Sequence, residues 1–141
     1  MRPGISRRVD RVLKAIQRLD KLASMGIEEI YSKDLLPILE REVEVIIQGL
    51  LDIGGYIISV KGWDPPSTYG EIGSILAKHG VLNEEEGRIL KSLAGLRNII
   101  VHVYADIDYE QLFKHAYRLR FNARTILSKI TSYIRREGID P

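Results

Sequence analysis

The sequence predicts an all-α fold, an antiparallel bundle of about five helices, and three observations lead there. Apolar residues recur at three- and four-residue spacing along most of the chain, as one face of a helix requires. No strand-like alternation persists, and no internal repeat is visible. Glycines, prolines and capping residues punctuate the periodic segments at intervals that suit helices joined by short loops.

The first helix is expected from about Ser6 to Met25, where Val9, Leu13, Ile16, Leu19 and Leu22 share a face and Gly26 follows as a stop. The second is expected to start at Ser32 as its N-cap, to tolerate Pro37 in its first turns, and to run to about Val60. Its apolar density places it at the centre of the bundle. The segment Lys61-Gly62-Trp63-Asp64-Pro65-Pro66-Ser67 cannot stay helical, because its prolines remove donors and fix the wrong dihedrals. Ser67 or Thr68 is then expected to cap a short third helix reaching His79, closed by Gly80. Asn83 followed by Glu84-Glu85-Glu86 combines a capping side chain with an acid at the third helical position. It starts a fourth helix that reaches Val101 or Tyr104. Asp108, with Gln111 three residues on, caps a fifth that runs to about Arg136 before Gly138.

A chain of 141 residues is the length of one domain, expected here over 1–141. The absence of cysteine excludes disulfides and thiolate zinc, and three histidines, at 79, 102 and 115, are too scattered to suggest a metal cage. No cofactor is expected. The least polar run, Val45 to Val60, is interrupted by Gln48 and Asp52 and falls short of the roughly 20 apolar residues of a membrane span. Met1 to Arg8 is positively charged with no apolar stretch behind it, unlike a secretory signal, so the expected location is the cytoplasm.

The net charge of +2 conceals a segregation. Residues 1–22 carry seven Lys and Arg against two acids, and residues 114–137 seven against one, while the middle is acidic. Terminal helices lying side by side would present a basic face to a phosphate backbone; two solvated helix faces with no partner would give the same count.

The pattern is broken in the fourth helix. With each residue advancing about 100°, Leu90, Leu93, Ala94, Leu96, Ile100 and Val101 fall in an arc around Arg97. Asn98 and His102 lie at the edge of that arc and, four apart, can point the same way. A guanidinium on an apolar face must find an anion, a hydrogen-bonding partner or a subunit seam. A cation, an amide and a group that titrates near neutrality are ingredients for phosphodiester cleavage. The structural alternative pairs Arg97 with Asp52 or Glu44 and leaves His102 to cap the helix.

Other features read more simply. His102, Asp106 and Asp108 could be drawn as a metal site, but Asp108 is better explained as an N-cap. His79 and His115 are read as packing or solvent-facing residues, and Trp63 as a loop aromatic covering the bundle's end rather than a base-stacking one. Arg118, Arg120, Arg124 and Lys129 could track RNA phosphate, though the four do not share one helical face.

From about Leu39 to Phe113 the chain resembles the HepT-like toxins of the HEPN (higher eukaryote and prokaryote nucleotide-binding) superfamily. The resemblance is carried by Glu42 to Asp52, by Pro66-Ser67-Thr68-Tyr69, by Gly80-Val81-Leu82, and above all by Gly95-Leu96-Arg97-Asn98-Ile99-Ile100-Val101-His102-Val103-Tyr104. That phrase has the superfamily's Arg, a polar residue directly after it, His five positions on, and the Tyr two further that marks the HepT branch. Tyr56 stands where relatives often have His.

The resemblance implies a metal-independent endoribonuclease, active as a homodimer in which two copies of the motif meet across a seam, acting on an RNA substrate such as a tRNA or an mRNA. It implies His102 as general acid/base, Arg97 stabilising the phosphorane, and Asn98 orienting the pair. It further implies a minimal nucleotidyltransferase antitoxin of the MntA type that transfers AMP to Tyr104. The rival reading is a HEPN protein without catalysis that serves as the binding partner of a nucleotidyltransferase. A purely structural helical adaptor would leave Arg97 unexplained.

Overall fold

Six helices follow one another in the computed structural model: α1 (Pro3–Met25), α2 (Ile27–Ser32), α3 (Leu36–Lys61), α4 (Gly70–Lys78), α5 (Glu84–His102) and α6 (Tyr109–Arg136). The structure describes residues 3–102 and 108–139, without the side chains of Pro3, Val101 and His102. Among the described residues every regular element is helical. Five of the six are the expected ones. The sixth, α2, went unseen because six residues are too few for an amphipathic period to show.

The α1–α2–α3 connection explains the missed element. Gly26, at φ 82°, ends α1 in a conformation that costs glycine nothing. After α2 the backbone reverses through Asp34 at φ 58°, and Leu35 N–H donates to Ile30 C=O at 2.9 Å. Ser32 is therefore not the N-cap of the long helix. It is the last residue of α2, with its hydroxyl donating to Glu29 C=O at 3.0 Å. The cap position of α3 belongs to Leu35, with Pro37 within the first two helical positions, where its missing N–H leaves no bond unmade.

The remaining boundaries follow from side-chain chemistry with one further correction. Neither Ser67 nor Thr68 caps α4 through its side chain; instead Glu71 reaches back, its carboxylate accepting from Ser67 N–H at 2.7 Å. The box that opens α5 is reciprocal: Asn83 N–H donates to Glu86, and Glu86 N–H donates to the Asn83 side chain, both at 2.8 Å. The Asp108 carboxylate accepts from Glu110 N–H at 3.0 Å and Gln111 N–H at 3.2 Å, capping α6 as expected.

Helix α3 runs through the centre and packs on α1, α4, α5 and α6. Its length and mean hydropathy of 1.6 would by themselves allow a membrane crossing. Burial against its neighbours accounts for that composition, since Leu39, Val43, Ile46, Ile47, Leu50, Leu51, Ile53, Ile57 and Ile58 all point into the core. One polar tie joins α1 to α3, Arg18 to the buried carboxylate of Glu42 at 3.4 Å. Another joins α1 to α6, Asp20 to Arg120 and Arg124. At the bundle's end Trp63 stacks on His79, ring centroids 3.7 Å apart and nearly parallel, and leans on Tyr133. The covering role read for Trp63 is what the structure has, and His79, read as packing or solvent-facing, is exposed on one side and stacked on Trp63 on the other.

The α4–α5 pair approaches backbone to backbone, and glycine permits it. A Cβ on Gly73 would lie 2.3 Å from the Gly87 carbonyl oxygen, and one on Gly87 would lie 2.7 Å from that of Gly73. This contact pins α4 to the first half of α5, and because Gly70 lies near Lys91 while Ala77 lies near Gly87 the two helices run antiparallel, which carries Tyr69, just before α4, toward Arg97.

Candidate active site

Helix α5 carries Arg97, Asn98 and the backbone of His102 over its last two turns. The apolar arc drawn from the sequence is present: Leu90, Leu93, Ala94 and Ile100 are buried and Leu96 is half-buried. Arg97 is half-buried among them, while Asn98 and Ile99 are exposed. The guanidinium lies 5.3 Å from the centre of the Tyr69 ring, within reach of a cation–π attraction. Its Nε is buried and has no hydrogen-bond partner among the described residues.

That orphan donor bears on the structural reading of Arg97. Neither Asp52 nor Glu44 forms an ion pair with it among the described residues, and one Asp52 oxygen accepts from the Gln48 amide at 2.7 Å. Among the described residues, therefore, the pairing of Arg97 with Asp52 or Glu44 is not present, and the capping role read for His102 falls on a side chain outside them. A buried N–H left without an acceptor costs about 1–3 kcal/mol, and such sites are where a ligand or a second subunit supplies the missing partner.

Of the four residues singled out in the sequence, the structure brings two onto one surface. Arg97 and Asn98 are adjacent, the first at the edge of the core and the second in solvent. His102 is placed by its backbone as the last residue of α5, and its side chain lies outside the described residues, as does Tyr104 altogether. Asp106, drawn with His102 and Asp108 as a possible metal site, also lies outside them, and Asp108 is committed to capping α6. Tyr69 was missed as a site residue. Its only sequence signal was a place in the Pro66-Ser67-Thr68-Tyr69 phrase, 28 positions from Arg97.

The basic terminal helices do pack side by side, α1 on α6. Their charge is partly spent internally. Asp20 takes Arg124 and Arg120, and its carboxyl is held below its ordinary value chiefly by the Arg124 hydrogen bond, burial opposing. Lys129 lies 3.6 Å from Glu86. Of the four α6 cations considered for phosphate contact, only Arg118 has no such tie among the described residues. The Lys61 pKa is raised and the Glu137 pKa lowered, each chiefly by the hydrogen bond between them at 2.9 Å.

Comparison with known proteins adds an independent line. A family model described as ribonuclease HepT-like matches residues 12–130. The tRNA nuclease HepT of Aphanizomenon flos-aquae (strain 2012/KM1/D3) is 29% identical over 110 residues, covering 77% of this chain and 75% of that protein. Among solved structures, the tri-AMPylated Shewanella oneidensis HEPN toxin in complex with MNT antitoxin matches with a TM-score of 0.84 at 17% identity. The match covers 94% of this chain and 99% of that one. The cytosolic protein YutE of Bacillus subtilis, of unknown function, matches with a TM-score of 0.79 at 23% identity over 96% and 94% of the two chains. At such identities the structural likeness establishes the bundle.

Proposed function

The chain belongs to the HepT-like ribonuclease family, and from that premise we propose that it is a metal-independent endoribonuclease toxin using Arg97, Asn98 and His102. The whole chain, 1–141, acts as one HEPN-type domain in the cytoplasm. The observation that carries the reading is the half-buried Arg97 with its unpartnered Nε. A half-buried guanidinium whose Nε has no acceptor among the described residues is a cation suited to an anion that arrives later.

In the proposed reaction the ribose 2′-oxygen attacks the adjacent phosphorus, the bond to the 5′-oxygen breaks, and a 2′,3′-cyclic phosphate and a free 5′-hydroxyl result. His102 takes the proton from the 2′-hydroxyl or gives one to the departing oxygen. Arg97 holds the extra negative charge of the five-coordinate phosphorus, which is the work a metal would otherwise do. Asn98, exposed beside it, orients the pair. Two chains meeting as a homodimer would supply one imidazole for each proton transfer. The exposed Ile99, apolar and next to the cleavage residues, suits such a seam.

Control is proposed at Tyr104. A cognate nucleotidyltransferase of the MntA type would transfer AMP from ATP to its phenol oxygen, releasing pyrophosphate, and the bulky anion would obstruct the site two residues away. The relative solved as a tri-AMPylated HEPN toxin with MNT antitoxin supports this step. The substrate is RNA, and the tRNA nuclease relative favours a tRNA over an mRNA.

Expression in a bacterial host tests both halves. The wild-type chain should arrest growth, His102→Ala should relieve the arrest, and incubation with the nucleotidyltransferase and ATP should add the mass of AMP at Tyr104. Toxicity that persists in His102→Ala would move the site elsewhere. Labelling that survives Tyr104→Phe would move the modification.

A further inference from the structure

We propose that the cleft between α1 and α3 binds a nucleotide of the RNA chain next to the one being cut; this rests on the ribonuclease reading above. The cleft has a volume of about 380 Å³ and is lined by Arg8, Arg11, Arg41, Glu44, Gln48 and Asp52. That is within the range of about 300–1,000 Å³ typical of small-ligand sites.

Three features of the lining point to a nucleotide. Arg8, Arg11 and Arg41 are exposed, and none has a carboxylate partner among the described residues. Arg8 and Arg11 on α1 and Arg41 on α3 are three cations around one cleft with no ion pair among the described residues, and a phosphate relieves their mutual repulsion. The Gln48 Oε1 is buried without a hydrogen-bond donor, the only such atom besides Arg97 Nε among the described residues. Its orientation is fixed, because the amide nitrogen donates to Asp52. The cleft thus offers cations for phosphate and acceptors for the donors of a sugar or base, which a site for a bare polyanion would not need.

Position joins this cleft to Arg97. A second hollow of about 380 Å³ continues from it, sharing Arg8 and Asp52 and reaching Thr68 and Tyr69. Tyr69 is the ring that faces the Arg97 guanidinium, and 45% of its surface is exposed, so a base can stack there. One unpartnered buried atom, Gln48 Oε1, therefore belongs to a residue lining the first hollow, and the other, Arg97 Nε, belongs to the side chain that packs on the Tyr69 ring lining the second.

Binding of a short fluorescein-labelled RNA with 2′-O-methyl groups, which block attack by the 2′-oxygen, tests the assignment by anisotropy over a range of salt. The triple variant Arg8→Gln, Arg11→Gln, Arg41→Gln should bind at least about tenfold more weakly at low salt. It should also lose about 0.7 of log–log salt slope for each phosphate contact removed. Gln48→Leu should weaken binding with the slope unchanged, because it removes an acceptor and no charge. The charge-matched variant Lys129→Gln, Arg135→Gln, Arg136→Gln on α6 should keep wild-type affinity. Equal losses in both triple variants, or none in the first, would overturn the assignment. So would a changed oligomeric state of the first triple variant by light scattering, which would make the cleft a subunit seam. If unmodified RNA is neither bound nor cut by the wild-type chain, it is the ribonuclease reading that falls.

Discussion

Arg97→Met distinguishes what this side chain does for the fold from what it does for chemistry. Methionine has nearly the length of the arginine stem and no donor, so it fills the apolar arc of Leu93, Ala94 and Ile100 without leaving an N–H unmade. Removing the unpartnered buried Nε returns about 1–3 kcal/mol. Loss of the contact with the exposed Tyr69 ring takes back about 0.5–1 kcal/mol. The expected net is a stabilisation of up to about 2.5 kcal/mol, with about 1 kcal/mol near the middle of the range. At roughly 2–4 °C per kcal/mol for a chain near this size, Tm should rise by a few degrees, read by circular dichroism at one fixed protein concentration. RNA cleavage should meanwhile fall by about 10²–10³, the usual cost of a donor aimed at developing charge. A variant that melts several degrees lower, with activity lost only in proportion to unfolding, would show that Arg97 holds the fold together and would refute the reasoning.

Two stability predictions follow from particular contacts. Gly73→Ala forces a methyl to within 2.3 Å of the Gly87 carbonyl, so overpacking of about 2–3 kcal/mol should exceed the roughly 1 kcal/mol gained in helix propensity. Gly95→Ala, with nothing within 4 Å, should instead stabilise by up to about 1 kcal/mol; urea melts of the two that shift the same way would contradict the packing described for α4 and α5. The Asp20 carboxyl sits below its ordinary value through Arg124 first, so its contribution is present above the unfolded value near 3.9 and is lost as pH falls through the folded one. With 34% of the side chain exposed the contribution is discounted to about 0.5–1 kcal/mol. The gap in Tm between wild type and Asp20→Asn should therefore be present at neutral pH and close below about pH 4, and a gap that widened there would reverse the assigned sign.

How much of this was legible in the sequence depended on how far each signal reached along the chain. The five expected helices announce themselves because each has an apolar period of at least two turns and a local stop or start, such as Gly26 or the Asn83–Glu86 box. The six residues of α2 have no room for a period, and the turn after them depends on Asp34 adopting a positive φ, which nothing nearby in sequence dictates. Caps were read correctly where a side chain has no competitor, as at Asp108. They were misread at Ser67 and Thr68, where Glu71 supplies the acceptor from inside the helix. At the site, Arg97 was visible as a charge in an apolar arc. Its neighbour Tyr69 was not, because that contact is made across the α4–α5 packing.

The most direct test of the account is cleavage of RNA by the purified chain in EDTA, with the same measurement on His102→Ala. The wild-type protein should still cut, leaving 2′,3′-cyclic phosphate and 5′-hydroxyl ends, and His102→Ala, folded by circular dichroism, should not. Cleavage abolished by EDTA and restored by a divalent cation, or cleavage that persists in His102→Ala, would contradict the account.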